Sequence, residues 1–193
     1  MMTEREKMLA GKLYDPGDPE LCAERAAAKE QTFRFNRLSP SDREGQRALL
    51  RELFGKTGDF LHVEAPFQCD YGRYISVGEN FYANHNCVIL DAGGVEIGDN
   101  VLLAPNVSIY TSGHPLDTER RNAGLEYGLR VRIGNNVWVG GDVSILPGVT
   151  IGDNAVIGAG SVVTKDIPAG VLAAGNPCRV IREITEEDKT RFS

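Results

Sequence analysis

Little in this 193-residue chain suits a membrane, a disulfide framework or a nucleic acid. No apolar run approaches the roughly 18 residues that a membrane-spanning helix needs. The four cysteines, Cys22, Cys69, Cys87 and Cys178, lie far apart and form no C-x-x-C pair. Reduced thiols in a cytoplasmic protein are therefore expected, and the opening MMTEREKMLAGKLY is too charged for a secretory signal. With 21 Lys and Arg against 27 Asp and Glu, the formal charge of −6 argues against a general nucleic-acid surface. Histidine is scarce: His62, His85 and His114 include no close-spaced pair, and no metal requirement is expected. A hydrophobic fraction of 41% and a charged fraction of 25% remain ordinary for a globular chain. The length suits one main domain with an appendage.

What the chain does contain is a repeat. From Ile133 to Pro168 it reads as six hexapeptides, IGNNVW, VGGDVS, ILPGVT, IGDNAV, IGAGSV and VTKDIP. The first place is always Ile or Val, and the fifth is small or branched. The fourth is Asn136, Asp142, Gly148, Asn154, Gly160 or Asp166. A period of six is neither the helical 3.6 nor an open alternation of two, so the backbone must turn at fixed intervals. Asn, Asp and Gly tolerate left-handed torsions best, which makes the fourth place a corner. The branched first residue then points inward, stacked on its equivalents in the coils above and below. This pattern indicates a parallel β-helix with three hexads per triangular coil. Upstream, VGENFY, ANHNCV, IGDNVL and LAPNVS continue the phase and put Asn80, Asn86, Asn100 and Asn106 at corners. Eight residues from Ile89 to Glu96, including Gly93-Gly94, predict a bulged corner there.

Residues 1–58 differ in composition and form a helical cap region; residues 59–193 hold the solenoid. Three helical pieces are expected in the cap. One spans Thr3 to Ala10 and stops at Gly11, and one runs from Pro19 to Phe35 behind the N-cap Asp18. The third opens at Ser39-Pro40 or at the box Ser41-Asp42-Arg43-Glu44 and ends near Gly55. Its Leu49, Leu50, Leu53 and Phe54 share one face and are expected to pack on the solenoid, covering an end that would otherwise invite edge pairing. After Ile109 the hexads stop, and residues 110–132 are predicted to protrude as a loop that carries His114. Beyond Pro168, Val171 to Ala174 reads as a last strand and Gly175-Asn176-Pro177 as a turn. Arg179 to Arg182 reads as a short strand with both arginines on one side. Thr185 with Glu186, Glu187 and Asp188 opens a short C-terminal helix.

The hexads, with NFYANHNCVILD, IGDNVLLAPNVSIYTSGHP, IGNNVWVGGDV and VVTKDIPAGVLAAGNPCRVIREI, resemble the hexapeptide-repeat acetyltransferases, in the maltose and galactoside O-acetyltransferase branch. The resemblance extends over nearly the whole chain, including its TEREKMLAGKLY opening. It implies a left-handed parallel β-helix, a homotrimer with sites at subunit interfaces, and acetyl-CoA as donor to a sugar hydroxyl, with no nucleic acid or membrane as partner.

Acetyl transfer from a thioester to a hydroxyl needs a base for the hydroxyl proton, donors for the tetrahedral oxyanion, and a held donor molecule. Histidine suits the first task near neutral pH. His114, between Gly113 and Pro115, matches the family's catalytic base. Asn84 matches an asparagine that assists the transition state; the corner of its hexad is Asn86, so a corner does not explain it. Asp70 and Tyr82 match acceptor-pocket positions, with CDYG closer to the maltose branch, and Asp15 matches an N-terminal acidic ligand less closely. Glu126 stands where relatives also carry an acid, either orienting His114 or binding the acceptor. On the donor side, Gly141, Ala159, Thr164 and Lys165 match coenzyme A contacts, and Arg179 and Arg182 match positions that meet its phosphates. Trp138 flanks the donor channel or packs in an interface. Two departures stand out: Arg130 replaces a proline common in relatives, and His85 replaces an apolar residue. The same chemistry on an oligosaccharide, galactoside or amino-acid hydroxyl, a solenoid zinc enzyme, and a non-catalytic trimeric scaffold are the alternatives.

Overall fold

The computed structural model describes residues 2–190, in which three parallel sheets form the sides of a triangular solenoid. The first sheet stacks Leu61–Val63, Phe81–Ala83, Leu102–Leu103, Trp138–Val139, Val156–Ile157 and Val171–Ala174. The second stacks Phe67–Cys69, Cys87–Leu90, Ser108–Tyr110, Ser144–Ile145 and Val162–Val163. The third stacks Ile75–Val77, Val95–Ile97, Val131–Ile133 and Thr150–Ile151. The chain visits first, second and third sheet in turn, so each strand pairs with the strand one coil away, as in Ile75↔Val95 and Ile133↔Ile151. Ile89, Ile109 and Ile145 stack in register on the second sheet and are fully buried. Burial of each such side chain contributes about 1.5–3 kcal/mol. This is the parallel β-helix expected from the period of six.

The corners have two causes, of which the hexad pattern disclosed one. Asn80, Asn100, Asn136 and Asn154 all adopt left-handed torsions, with φ between 55° and 59°. Their side-chain amides also bond from coil to coil, at 2.9, 3.1 and 3.0 Å. Asn86, Asn106 and Asp142 form a second ladder at 3.0 and 2.9 Å. Glycine satisfies the torsion alone, whereas Asn also carries a bond to the coil on either side. Asp166 departs from the expected corner: it is not among the left-handed residues, and its carboxylate accepts the Thr150 N–H at 2.7 Å. The side chain meets the backbone donor of the coil beneath, and the left-handed turn falls later, at Gly170.

The cap closes the open end of the solenoid. Helices α1 (Glu4–Leu9), α2 (Pro19–Arg37) and α3 (Arg43–Leu53) occur close to their expected places. Asp42, whose carboxylate accepts the Gly45 N–H, is the N-cap of α3 in place of the expected Ser39 or Ser41. Leu49, Leu50, Leu53 and Phe54 enter the solenoid core, and the Phe54 ring meets Phe67 edge-on at 5.6 Å. Asn36 of α2 donates to the Phe67 carbonyl and accepts the Phe67 N–H, both at 2.8 Å, standing in for a strand that the edge lacks.

The loop leaves between the second and third sheets. Its base is a short antiparallel pair, Ser112–Gly113 with Tyr127–Gly128, and its outer part is a single exposed turn of helix, α4 (Thr118–Asn122). The bulged corner at Gly93-Gly94 is where the loop returns: a Cβ on Gly93 would stand 2.5 Å from the Leu129 nitrogen. Gly94 has φ +86°, and the Arg130 guanidinium passes beside it to pair with Glu96 at 2.7 Å. Thr111, fully buried, accepts the Gly93 N–H on its hydroxyl and the Leu129 N–H on its carbonyl.

The final strand, Arg179–Glu183, runs antiparallel to Val171–Ala174, and a single 3-10 turn, Glu186–Lys189, is the short C-terminal helix. Regular alternation would put residues 179 and 182 on opposite faces. A register shift pairs Leu172 with Arg182 but Ala173 with Val180, so Ile181 is the extra residue, and both arginines share the outer face with Leu172 and Ala174.

Substitution at Asn100 separates the two causes of the corner. Asn100→Ala is expected to cost about 2–3 kcal/mol, from torsional strain and lost ladder bonds. Asn100→Gly, which keeps the torsion, is expected to cost about 1–2 kcal/mol. Denaturant midpoints measure both; alanine tolerated as well as glycine would remove the torsional explanation.

Candidate active site

A cavity of about 470 Å³ opens between the cap, the second sheet and the root of the loop. His114 and Glu126 reach it from the loop, Asp70 and Tyr71 from the coil, and Tyr14 and Arg25 from the cap. His114 is half-exposed, and its Nδ1 lies 3.0 Å from the Leu125 carbonyl oxygen. A carbonyl only accepts, so Nδ1 carries the proton and Nε2 is left with its lone pair. Nε2 stands 3.8 Å from Glu126 Oε1. The other carboxylate oxygen of Glu126 accepts the Tyr14 hydroxyl at 2.7 Å. Tyr14 also bridges Glu126 through backbone, N–H to carbonyl in both directions at 3.0 and 3.1 Å.

Burial, then the neighbouring Glu126, raises the Asp70 carboxyl above its ordinary range, while Arg25 and Lys29 oppose the rise. Arg25 is committed within the wall: it donates to the Tyr71 hydroxyl at 2.7 Å and to the Pro16 carbonyl at 2.6 Å. Burial pushes the Tyr71 phenol up to about 12. Beneath the cavity the fully buried Asp91 accepts the Tyr71 and Tyr74 N–H groups at 2.8 and 3.3 Å, and burial pushes its carboxyl up to about 6. The arrangement offers one imidazole nitrogen for proton abstraction and two carboxylates as acceptors for ligand hydroxyls.

Family models match the same architecture. The maltose acetyltransferase hexapeptide capping motif matches residues 7–58, the bacterial transferase hexapeptide in six repeats matches residues 130–165, and a hexapeptide repeat of succinyl-transferase matches residues 85–111. The chain is 50% identical over 188 residues to galactoside O-acetyltransferase of Escherichia coli, covering 97% of this chain and 93% of the relative. The crystal structure of a maltose O-acetyltransferase from Clostridium difficile 630 superposes with a TM-score of 0.94 at 57% identity, covering 96% and 99% of the two chains. A galactoside acetyltransferase in complex with coenzyme A gives 0.96 at 49% identity, covering 100% and 96%. The chain belongs to the hexapeptide-repeat acetyltransferases, in their maltose and galactoside O-acetyltransferase branch. Family membership carries with it the left-handed sense of the coil and an acetyl-CoA-dependent acetyltransferase activity.

Within this acetyltransferase the structure gathers some expected site residues and separates others. His114, Glu126 and Asp70 share the cavity. Asp15 caps its own turn by accepting the Gly17 N–H at 2.7 Å, and the adjacent Pro16 and Gly17 line the wall instead. Tyr82 lies on the outer face of the first sheet, stacked on His62 at 5.4 Å. Asn84 follows it at the corner and accepts the N–H of His85, whose ring in turn bonds the Ala65 carbonyl. Trp138 is on that same outer face, in register with Tyr82 through Leu102, and Arg179 and Arg182 extend the face on the final strand. Arg182 is paired with Asp188 at 2.6 and 2.7 Å. Gly141 and Ala159 lie at the corner between first and second sheets, where a Cβ on the neighbouring Gly140 would stand 2.6 Å from the Ala159 nitrogen. Thr164 and Lys165 are exposed after Val162–Val163, at the opposite corner. Lys165, Arg179 and Arg182 thus divide between two places in one chain rather than gathering at one.

Sequence reasoning missed Tyr14 and Arg25. Arg25 is one of many charged residues along α2, and Tyr14 makes a one-residue bridge too short to leave a periodic pattern.

The buried Asp91 carboxyl yields a pH test of stability. Its raised folded value means that its stabilising contribution is fully present below the ordinary value of 3.8 and is lost as pH rises through about 6. Between pH 4 and 7, wild type is expected to lose about 2 kcal/mol relative to Asp91→Asn in urea unfolding. A pH-independent difference between the two would contradict the assignment.

Proposed function

We propose that this protein transfers the acetyl group of acetyl-CoA to a hydroxyl of a small sugar of the maltose or glucose type, by direct attack with His114 Nε2 as general base. The observation that carries the reading is the imidazole fixed through Nδ1 to the Leu125 carbonyl, with Nε2 turned to a cavity that also presents Asp70 and Glu126. Carboxylates accept hydrogen bonds from adjacent sugar hydroxyls, and Asp70 and Glu126, with Tyr82 brought from a second copy as Asn84 is, fix the acceptor so that one oxygen faces Nε2. Asp15 is the more distant acceptor ligand.

As the acceptor oxygen bonds to the thioester carbon, its proton passes to Nε2, and Glu126 balances the imidazolium from 3.8 Å. The amide of Asn84 donates to the tetrahedral oxyanion. Collapse breaks the carbon–sulfur bond, the imidazolium returns its proton to the leaving thiolate, and the products are the acetyl ester and free coenzyme A. No acyl-enzyme is involved: burial pushes the Cys87 thiol up to about 12 and the Cys69 thiol higher still, away from the thiolate a nucleophile needs.

Asn84 lies outside the cavity that holds His114, so the reading requires a second copy to supply it. The outer face of the first sheet supports this. Leu102 and Trp138, adjacent in register, are about half exposed, and Val156 and Leu172 continue the stripe. A homotrimer that buries this face brings Asn84 of one copy to His114 of the next, and lays Trp138, Gly141, Ala159, Arg179 and Arg182 of one copy beside Thr164 and Lys165 of another to hold coenzyme A. Reaction in the cytoplasm fits a soluble donor of this kind.

Two measurements test the reading. Thiol release from acetyl-CoA is expected with maltose or glucose above a galactoside, serine and no acceptor, and His114→Ala is expected to lower it by at least about 100-fold. Undiminished turnover would refute the base. Sedimentation is expected to give three chains for wild type and a smaller species for Leu102→Asp; a wild-type monomer that turns over sugar would refute the shared site.

A further inference from the structure

The N-terminal segment does more than cover the solenoid. We infer that Tyr14 is a positioning residue for the base: it holds Glu126 and Leu125, the two residues that bracket the His114 imidazole, from a point more than a hundred positions earlier in the chain. This rests on the reading of His114 as the base.

Three hydrogen bonds join Tyr14 to Glu126. The phenol donates to Oε2 at 2.7 Å, and the paired backbones add bonds of 3.0 and 3.1 Å. Leu125 and Glu126 touch both sides of the imidazole: the Leu125 carbonyl accepts from Nδ1 at 3.0 Å, and Glu126 Oε1 faces Nε2 at 3.8 Å. Helix α4 reaches them through one backbone bond, from the Leu125 N–H to the Arg120 carbonyl at 3.2 Å, but Thr118–Asn122 buries no residue and is itself unanchored, so the buried hold on this pair comes from Tyr14. Tyr14 is itself immobilised, 1% exposed in a cluster with Met8, Leu21, Tyr71 and Ala92 that joins the cap to the coil. Burial, then the bond to Glu126, raises its phenol far above the ordinary range, so it donates at every working pH. The other charged and titratable groups facing this pair are Asp70 and Tyr71 from the coil and Arg25 from α2. Arg25 is spent on Tyr71 and Pro16, which leaves Tyr14 as the donor that the structure gives to the Glu126 carboxylate.

The coupling has a direction. A carboxylate that loses its phenol donor keeps more negative charge on the oxygen facing Nε2, and attracts the imidazolium more strongly. Tyr14→Phe preserves the ring and the backbone pairing and removes only the hydroxyl. The His114 titration midpoint, followed by NMR in the free protein, is expected to rise. The acid limb of the rate profile should move with it, and kcat should fall about 3- to 10-fold with KM for acetyl-CoA unchanged.

In a Glu126→Gln background the same substitution is expected to leave the midpoint where it was, because the link runs through the carboxylate. An unmoved midpoint in Tyr14→Phe, or an equal shift in both backgrounds, would overturn the inference. Should Tyr14→Phe unseat the cap, Glu126→Gln alone decides: the midpoint is expected to drop, and an unchanged value overturns the link. A midpoint that shifts while kcat does not would leave the positioning role standing and sink His114 as the base.

Discussion

Every coil of this molecule depends on a left-handed turn taken at a fixed place in a six-residue period. An L-residue resists that turn by about 1–2 kcal/mol, and the chain answers with Asn, Asp or Gly. Asparagine answers twice, since its amide also bonds to the corners above and below. The consequence is a stack in which each corner supports its neighbours, and in which a segment can be pushed outward at one corner without disturbing the next. Residues 110–132 are such a segment: the strands on either side, Ser108–Tyr110 and Val131–Ile133, keep their register with the coils around them.

A loop extruded in this way gains reach and loses definition. The outer helix α4 buries nothing, and an imidazole on a free loop would sample many positions. The molecule restores definition at the loop's root. Thr111 ties the root to the Gly93 bulge from one side, and the Tyr14 bridge ties it to the cap from the other. Two independent parts of the chain, the solenoid and the cap, therefore converge on the few residues around His114. This also gives the cap a role beyond covering an edge, which Asn36 already does by pairing with Phe67.

The sequence disclosed what repeats and concealed what does not. Branched residues at one place and Asn at another, held in phase over many hexads, leave few folds open, and the core and corners were legible down to single residues. Asp166 was the exception because the pattern cannot distinguish a residue that turns the backbone from one whose side chain caps it. The pairing of Arg179 with Arg182 on one face needed a bulge at Ile181 that strand alternation does not announce. Around the site, the Gly-His-Pro stretch marked the loop, and the acid at Glu126 was visible as a charge in the returning segment. Its partner was not: Tyr14 acts through one bridge and one hydroxyl, in a stretch with no periodicity, and only tertiary contact reveals it. Asn84 and His114 remain apart within a chain for a related reason. The proposed meeting of the two belongs to an assembly, and within one chain the structure offers for it an outer stripe of Leu102, Trp138, Val156 and Leu172.

The Leu125 carbonyl, held by the cap, selects the imidazole tautomer that leaves His114 Nε2 unprotonated, as the proposed base must be. Glu126 beside Nε2 competes for the opposite choice, since a carboxylate also attracts an N–H. Nitrogen-15 chemical shifts of the His114 ring in the neutral, unliganded protein decide between them. Protonated Nδ1 with an unprotonated Nε2 is the result expected from the 3.0 Å contact to Leu125. A proton on Nε2, with Nδ1 bare against the carbonyl, would contradict the account at its root.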